Sequence, residues 1–218
     1  PRLHVDLSLC LLMTELEAVN TLLSVIGEAP VASLPSTATL DITDAALARK
    51  TLTEVKRDVL AEGWSWNTDL NYPSNKNASN EFALPSDTLR APFFPSSTPN
   101  MQYVQRGLKI YDKVKRKFNF GDVVDQVIVN ELVRNIEWDE CPHAGQQYIV
   151  IRSARIYSDR FINSNVIYQY TMTDEDYARN QLIRAEEAGQ EHNMLWGNTI
   201  GIGQGGGFMP AQGLRYRN

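Results

Sequence analysis

Two stretches of helical apolar spacing, residues 14–62 and 142–191, flank a segment from Trp64 to Trp138 in which that spacing is lost. An amphipathic helix gains most of its stability by burying its stripe against a neighbour. Helical stripes on both sides of a non-helical segment therefore predict an α+β chain. The expected form is an antiparallel four-helix bundle with a small antiparallel β-domain inserted between helices 2 and 3.

The first helix is expected from Thr14 to about Gly27. Thr14 followed by Glu17 is a capping box, and Leu16, Val19, Leu23 and Ile26 form one stripe. Gly27 supplies the C-cap, and Pro30 and Pro35 keep the connection out of helix. A second helix is predicted over Ile42–Glu62, capped by Asp41 or Thr43 and ended by Gly63. Its apolar residues Ile42, Ala45, Ala48, Leu52, Val55 and Val59 alternate by three and four, opposite a charged face. A third runs from Pro142 to about Phe161 and is apolar on most sides, which predicts burial among several neighbours. The fourth is placed from Thr173 to about Glu191, with Asp174, Glu175 and Asp176 against its positive end.

In the middle segment, Asn71-Tyr72-Pro73-Ser74-Asn75-Lys76-Asn77 reads as turns and loops. Short strand-like runs follow at Phe82–Leu84, Gln102–Val104, Leu108–Asp112 and Val123–Ile136. Hairpin turns are expected at Arg106-Gly107 and Asn119–Asp122. The chain thus divides into residues 1–63 (an N-terminal arm and the first two helices), 64–138 (the β-insert), 139–196 (the last two helices) and 197–218, a tail holding seven of the 13 glycines. Residues 1–12 lack the uninterrupted apolar core and small-residue cleavage site of a signal peptide, because Asp6 breaks the run. They are expected to be a short extended arm, or an upstream extension of a chain whose natural start is Met13.

The chemistry-bearing residues are few. A net charge of −5 argues against a free-standing DNA-binding domain, which needs a basic surface. Two cysteines, Cys10 and Cys141, are too few for a disulfide framework or a cysteine zinc site, and no run reaches the roughly 18 apolar residues of a membrane span. Cys141-Pro142-His143 places a thiol beside an imidazole at a helix start, where a lowered pKa would make a nucleophile. Adjacent residues on one turn seldom aim at one atom, and no third orienting group is evident. Gly201-Ile202-Gly203-Gln204-Gly205-Gly206 formally fits a dinucleotide fingerprint but lacks the following helix that would receive a pyrophosphate. No cofactor, metal or catalytic residue is therefore assigned. The acidic groups Asp139 with Glu140, Asp174 to Asp176, and Glu186 with Glu187 would suit a glycoside hydrolase if two of them flanked a cleft. Their expected places, at helix starts and on outer faces, favour plain solvation.

Lys113-Val114-Lys115-Arg116-Lys117, beside Tyr111 and Phe118, is a local basic run that could touch nucleic acid. On a hairpin strand, alternate residues would face opposite ways and split the cluster. Asn77-Ala78-Ser79 matches a glycosylation acceptor, with nothing else pointing to secretion. In the tail, Phe208, Met209, Leu214, Arg215, Tyr216 and Arg217 include the aromatic, methionine and arginine types enriched at protein interfaces. These six are the expected partner-binding residues.

Five stretches in order resemble one family. Residues 13–31, Met-Thr-Glu-Leu-Glu-Ala-Val-Asn-Thr-Leu-Leu-Ser-Val-Ile-Gly-Glu-Ala-Pro-Val, are similar to the opening of tail tubular protein A, the adaptor of short-tailed autographivirus-type phages. The others are Gly63-Trp64-Ser65-Trp66-Asn67, Leu84-Pro85-Ser86-Asp87-Thr88-Leu89-Arg90, the run from Arg106-Gly107 to Tyr111-Asp112, and the run from Tyr148 to Phe161. The resemblance covers about residues 13–195; residues 1–12 and the tail after Trp196 depart from it.

The resemblance implies a structural, non-enzymatic virion protein, made and assembled in the host cytoplasm. It implies a dodecameric ring of this chain, seated between the portal protein and the tail nozzle protein, lining the DNA exit channel and helping to seat tail fibres. Genomic DNA would pass through without specific binding, and no membrane is involved. The other readings weighed are a polysaccharide hydrolase of the phage tail, resting on the acidic groups above, and a nucleic-acid-binding module on the basic run of residues 113–117.

Overall fold

The computed structural model describes residues 13–35, 43–92, 103–121, 126–161 and 165–189. It is α+β, with four α-helices and antiparallel strands. Helix α1 spans Glu15–Val25 and α2 spans Asp44–Ala61. Strands β1 (Thr68–Asn75), β2 (Thr88–Arg90), β3 (Tyr103–Arg106), β4 (Lys109–Asp112) and β5 (Gln126–Arg134) follow, then α3 (His143–Phe161) and α4 (Asn165–Gly189).

The local helix punctuation is as the sequence predicts. Thr14 N–H donates to Glu17 Oε2 at 2.8 Å and Glu17 N–H returns to Thr14 Oγ1 at 3.2 Å, closing the capping box. Gly27 takes φ +82°, so that its N–H reaches the Ser24 carbonyl and the Glu28 N–H the Leu23 carbonyl. That pair of bonds is the Schellman ending. Thr43 caps α2, its Oγ1 accepting from Ala46 N–H; Asp41 and Ile42 lie outside the described residues.

Helix α3 packs against α1, α2 and α4. The largest apolar cluster joins Leu22 and Leu23 of α1, Leu52, Val55 and Val59 of α2, Tyr148, Ile149 and Tyr157 of α3, and Ala178 and Leu182 of α4, with Trp64 and Trp138 at its border. Burying a Leu or Val side chain contributes about 1.5–3 kcal/mol, so these packed faces outweigh the modest propensity of any single helix. Buried Gln146 ties three parts of the chain together. Its side-chain amide donates from Nε2 to the Trp138 carbonyl at 3.0 Å, and its Oε1 accepts from Met13 N–H at 3.1 Å. Trp138 Nε1 in turn donates to the Met13 carbonyl at 2.6 Å.

Several expectations need correction, two of them large. Residues 71–77, read as turns, lie mostly within β1, which is paired antiparallel with β5 from Thr68↔Val133 to Asn75↔Gln126. The order β1-β5-β2 makes β1 an edge strand, where Pro73 does not interrupt a central ladder. Asn71 adopts φ +53°, yet the register is the same on either side of it. Helix α4 begins at Asn165, eight residues before the predicted Thr173. Asp174, Glu175 and Asp176 are therefore not at a helix N-terminus. Glu175 instead pairs with Arg155 and lies 3.8 Å from Arg152 Nε, both on α3.

The β-region has its own apolar cluster of Phe82, Leu84, Ala91, Ile110, Phe120, Val127, Val129 and Leu132. Phe120 meets Phe82 edge-on at 4.8 Å and Tyr103 at 5.3 Å. Gly107 opens the two-residue turn between β3 and β4 with φ +62°, as predicted. Of residues 82–84, expected as a strand, Phe82 and Ala83 form only isolated bridges and Leu84 none. Leu84 N–H donates to the Leu108 carbonyl and Ile110 N–H to the Phe82 carbonyl, stitching this segment to β4. Asn119–Gly121 turns back toward residues 79–81 and does not link β4 to β5 as a hairpin; Asp122 lies outside the described residues.

Where the helices hand over to the strands, Gly63 at φ +82° closes α2, and a Cβ there would sit 2.5 Å from Arg90 Nη2. Asn67 then makes three hydrogen bonds: Oδ1 accepts from Trp64 N–H at 2.8 Å, and Nδ2 donates to the Leu60 and Arg134 carbonyls at 2.8 and 2.9 Å. One buried amide thus fixes the end of α2 against β5.

Tyr157 gives an alkaline test of the helical core. Its hydroxyl donates to the Asp44 carbonyl at 2.9 Å, and its pKa is pushed up to about 12 by burial first and then by Asp44 and Glu28. The folded chain therefore holds this proton more tightly than the unfolded chain, whose tyrosines ionise near pH 10. Its stabilisation is complete below about pH 10 and is lost as the pH rises toward 12. Urea midpoints should fall over that window, and Tyr157→Phe should flatten the fall while costing about 1 kcal/mol at neutral pH. An equal alkaline fall in both proteins would assign the effect elsewhere.

Candidate interaction surfaces

The nucleophile role weighed for Cys141, and not assigned, finds no support in the structure. The side chain is buried, its thiol lies 3.5 Å from the Glu137 carbonyl, and its pKa is raised to about 11, chiefly by burial. A protonated, enclosed thiol is a core group: burial outweighs the Lys56 charge that would favour the thiolate. His143 is exposed at the start of α3.

The acidic groups are also engaged locally. Glu140 accepts from Glu137 N–H at 3.0 Å, an N-terminal cap of the short 3-10 turn Trp138–Glu140. Glu186 accepts from both Ser65 N–H at 2.7 Å and Ser65 Oγ at 3.0 Å, tying α4 to the segment after α2. Asp139 and Glu187 are exposed. Among the described residues, no three His, Cys, Asp or Glu side chains gather as a metal site would require. The hydrolase reading finds no support in this arrangement.

Missed by sequence reasoning is a charged seam joining α2, α3 and α4. Arg179 grips Glu62 with two nearly equal bonds, 3.1 and 3.0 Å, and its Nη1 also donates to Tyr148 Oη at 3.0 Å. Those two partners, Glu62 first, raise its already high pKa. Arg152 Nη1 donates to the same Tyr148 hydroxyl at 3.0 Å. Bidentate pairing of this kind fixes orientation as well as charge. Arg152, Arg155 and Arg160 on α3 and Arg179 and Arg184 on α4 are the only trace of it in the sequence. Their acid, Glu62, lies 117 residues from Arg179.

Outward from the seam, α4 exposes Met172, Tyr177 and Ile183, with Tyr177 67% exposed. Met172 and Ile183 lie about three turns apart on one side of the helix. In the β-region, Leu70 and Ile128 are similarly exposed.

The basic run does not lie on a hairpin strand. It occupies the turn after β4, closed by a bridge between Asp112 and Lys117. Asp112 is buried, and its Oδ1 accepts from Val114 N–H at 2.8 Å and Lys115 N–H at 2.9 Å. Lys113, Lys115, Arg116 and Lys117 are all exposed. Beside the turn, Tyr111 and Phe118 meet edge-on at 5.0 Å, and the Arg106 guanidinium lies 3.6 Å from the Tyr111 ring centre.

The tail residues Phe208, Met209, Leu214, Arg215, Tyr216 and Arg217, and the glycine motif at 201–206, lie outside the described residues. Among the described residues, no helix is long and apolar enough to cross a membrane.

Comparison with curated proteins finds no match. Comparison with protein families finds Tail tubular protein over residues 16–192, a span that contains every described helix but the first residue of α1. The chain therefore belongs to the tail tubular protein family and is a structural component of a phage virion tail.

Proposed function

We propose that this chain is the adaptor subunit of a short phage tail: a homododecameric ring joining the portal protein to the tail nozzle protein. In this reading the ring lines the DNA ejection channel and helps to seat tail fibres. The observation that carries it is the family match over residues 16–192, together with the resemblance to the portal-to-nozzle adaptor described above. The helices would form a four-helix bundle, with the β-region of residues 64–138 as an insert offering a second contact surface. Exposed Met172, Tyr177 and Ile183 make α4 a natural candidate for the contact between neighbouring subunits. A head-to-tail contact of that kind closes into a ring only if its rotation does, and a portal template would enforce closure. The tail, through Phe208, Met209, Leu214, Arg215, Tyr216 and Arg217, would dock on the portal or on a neighbouring subunit.

Mass photometry of the purified protein, alone and with the cognate portal, tests the reading. A monomer that shifts to the mass of portal plus ring supports it, and a mass that never shifts at any ratio removes it. Deleting residues 197–218 should abolish ring formation or portal binding; if both persist, the tail has no such role.

A further inference from the structure

The turn at residues 113–117 stands apart from the electrostatics of the rest of the chain. Elsewhere among the described residues, many cations are paired within the fold: Arg49 with Glu15, Lys109 with Glu81, Arg134 with Asp69 and Asp87, Arg155 with Glu175 and Asp159, and Arg179 with Glu62. Among the described residues, no acid forms an ion pair with Lys113, Lys115, Arg116 or Lys117. Four cations in five consecutive residues repel one another, which costs stability in an isolated chain. Here the buried carboxylate of Asp112 holds the turn in shape through the Val114 and Lys115 amides, and Arg116 adopts φ +56°. The backbone is thus fixed while the four charged ends are left to solvent.

We propose that this turn is a sequence-independent contact for the phosphate backbone of duplex DNA. Three of the four cations are lysines, a residue type depleted in protein–protein interfaces but suited to phosphates as a point charge. Tyr111 and Phe118 are engaged with each other, and Arg106 covers the Tyr111 ring, so the aromatic faces that would stack unpaired bases are occupied. The backbone of a duplex fits such a surface better than a single strand does. The net charge of −5 over the whole chain confines the attraction to this turn and keeps it weak. The contact goes beyond the adaptor reading and does not depend on ring formation.

Fluorescence anisotropy of the full chain with a labelled duplex tests it without portal present. With four phosphate contacts, affinity should fall about 100-fold between about 50 mM and about 200 mM salt, equally for unrelated duplex sequences. Replacing Lys113, Lys115, Arg116 and Lys117 together by glutamine should weaken binding at least about tenfold at the lower salt and flatten the salt dependence. Lys113→Arg, Lys115→Arg and Lys117→Arg together should retain binding, because charge and not shape is read. Circular dichroism melts of both variants should be no lower than the parent's, since all four side chains are exposed and glutamine relieves their mutual repulsion. A parent that fails to bind at the lower salt overturns the proposal, as does a glutamine variant that binds equally. Polyglutamate that displaces the duplex at equal charge would also overturn it and reassign the turn to an acidic protein surface.

Discussion

Replacing Asn67 by leucine should lower the stability of the chain by about 2–4 kcal/mol, although the two side chains are close in size. Three hydrogen bonds disappear, to the Trp64 N–H and the Leu60 and Arg134 carbonyls. The losses are unequal. The Leu60 carbonyl keeps the Gly63 N–H at 3.1 Å, whereas the Trp64 N–H has no other acceptor among the described residues. A buried donor left without a partner costs about 1–3 kcal/mol by itself. Asn67→Asp separates this from a simple loss of packing. It keeps an acceptor for Trp64 N–H but places a carboxylate against two carbonyls, so it should be at least as destabilising at neutral pH and should recover on acidification. Urea melts of the three proteins at two pH values check this. Near-equal midpoints for the parent and Asn67→Leu would mean that the joint between α2 and β5 is held by apolar packing alone.

Asn67 also shows where sequence reading stops. It lies in the Gly63–Asn67 stretch that carries part of the family resemblance, yet nothing in those five residues shows that its amide would reach Arg134, 67 residues away. What could be read was local. The Thr14–Glu17 capping box and the left-handed Gly27 and Gly63 are set by neighbours within a few residues, and the structure has each of them. The same holds for the Gly107 turn.

What could not be read depends on distant partners. The Asn- and Pro-containing stretch of β1 has poor strand propensity, and it becomes a strand because β5 offers it a complete ladder. The first eight residues of α4 are rich in β-branched and aromatic side chains, with only Gln169 and Met172 as strong helix formers, while Thr173 and its acids imitate a start. Glu175 is instead drawn to Arg155 on α3, and that tertiary pairing overrides the local reading. The basic turn was visible as composition, but its geometry needed Asp112, whose buried carboxylate only the fold reveals.

Phe82→Ala should produce the largest single loss, about 3–5 kcal/mol, because it removes a fully buried ring from the smaller of the two apolar clusters. Phe82 meets Phe120 edge-on, and its carbonyl accepts from Ile110 N–H, so its truncation leaves a cavity against the stitching of residues 82–84 to β4. The helical cluster shares no residue with this one, and Trp64 and Trp138 belong to it. That division predicts an uneven response. Amide exchange at Val127 and Val129 on β5 should accelerate by two to three orders of magnitude or more, following the loss of stability in the β-region. Tryptophan fluorescence, dominated by the helical side, should shift its denaturation midpoint by less than the exchange data imply. Leu22→Ala, buried in α1, should show the converse, moving fluorescence first. If both variants move both probes equally, the clusters unfold as one cooperative unit. In that case the contacts around Asn67, Arg90 and Glu62 couple the strands to the helices more strongly than each cluster holds itself together.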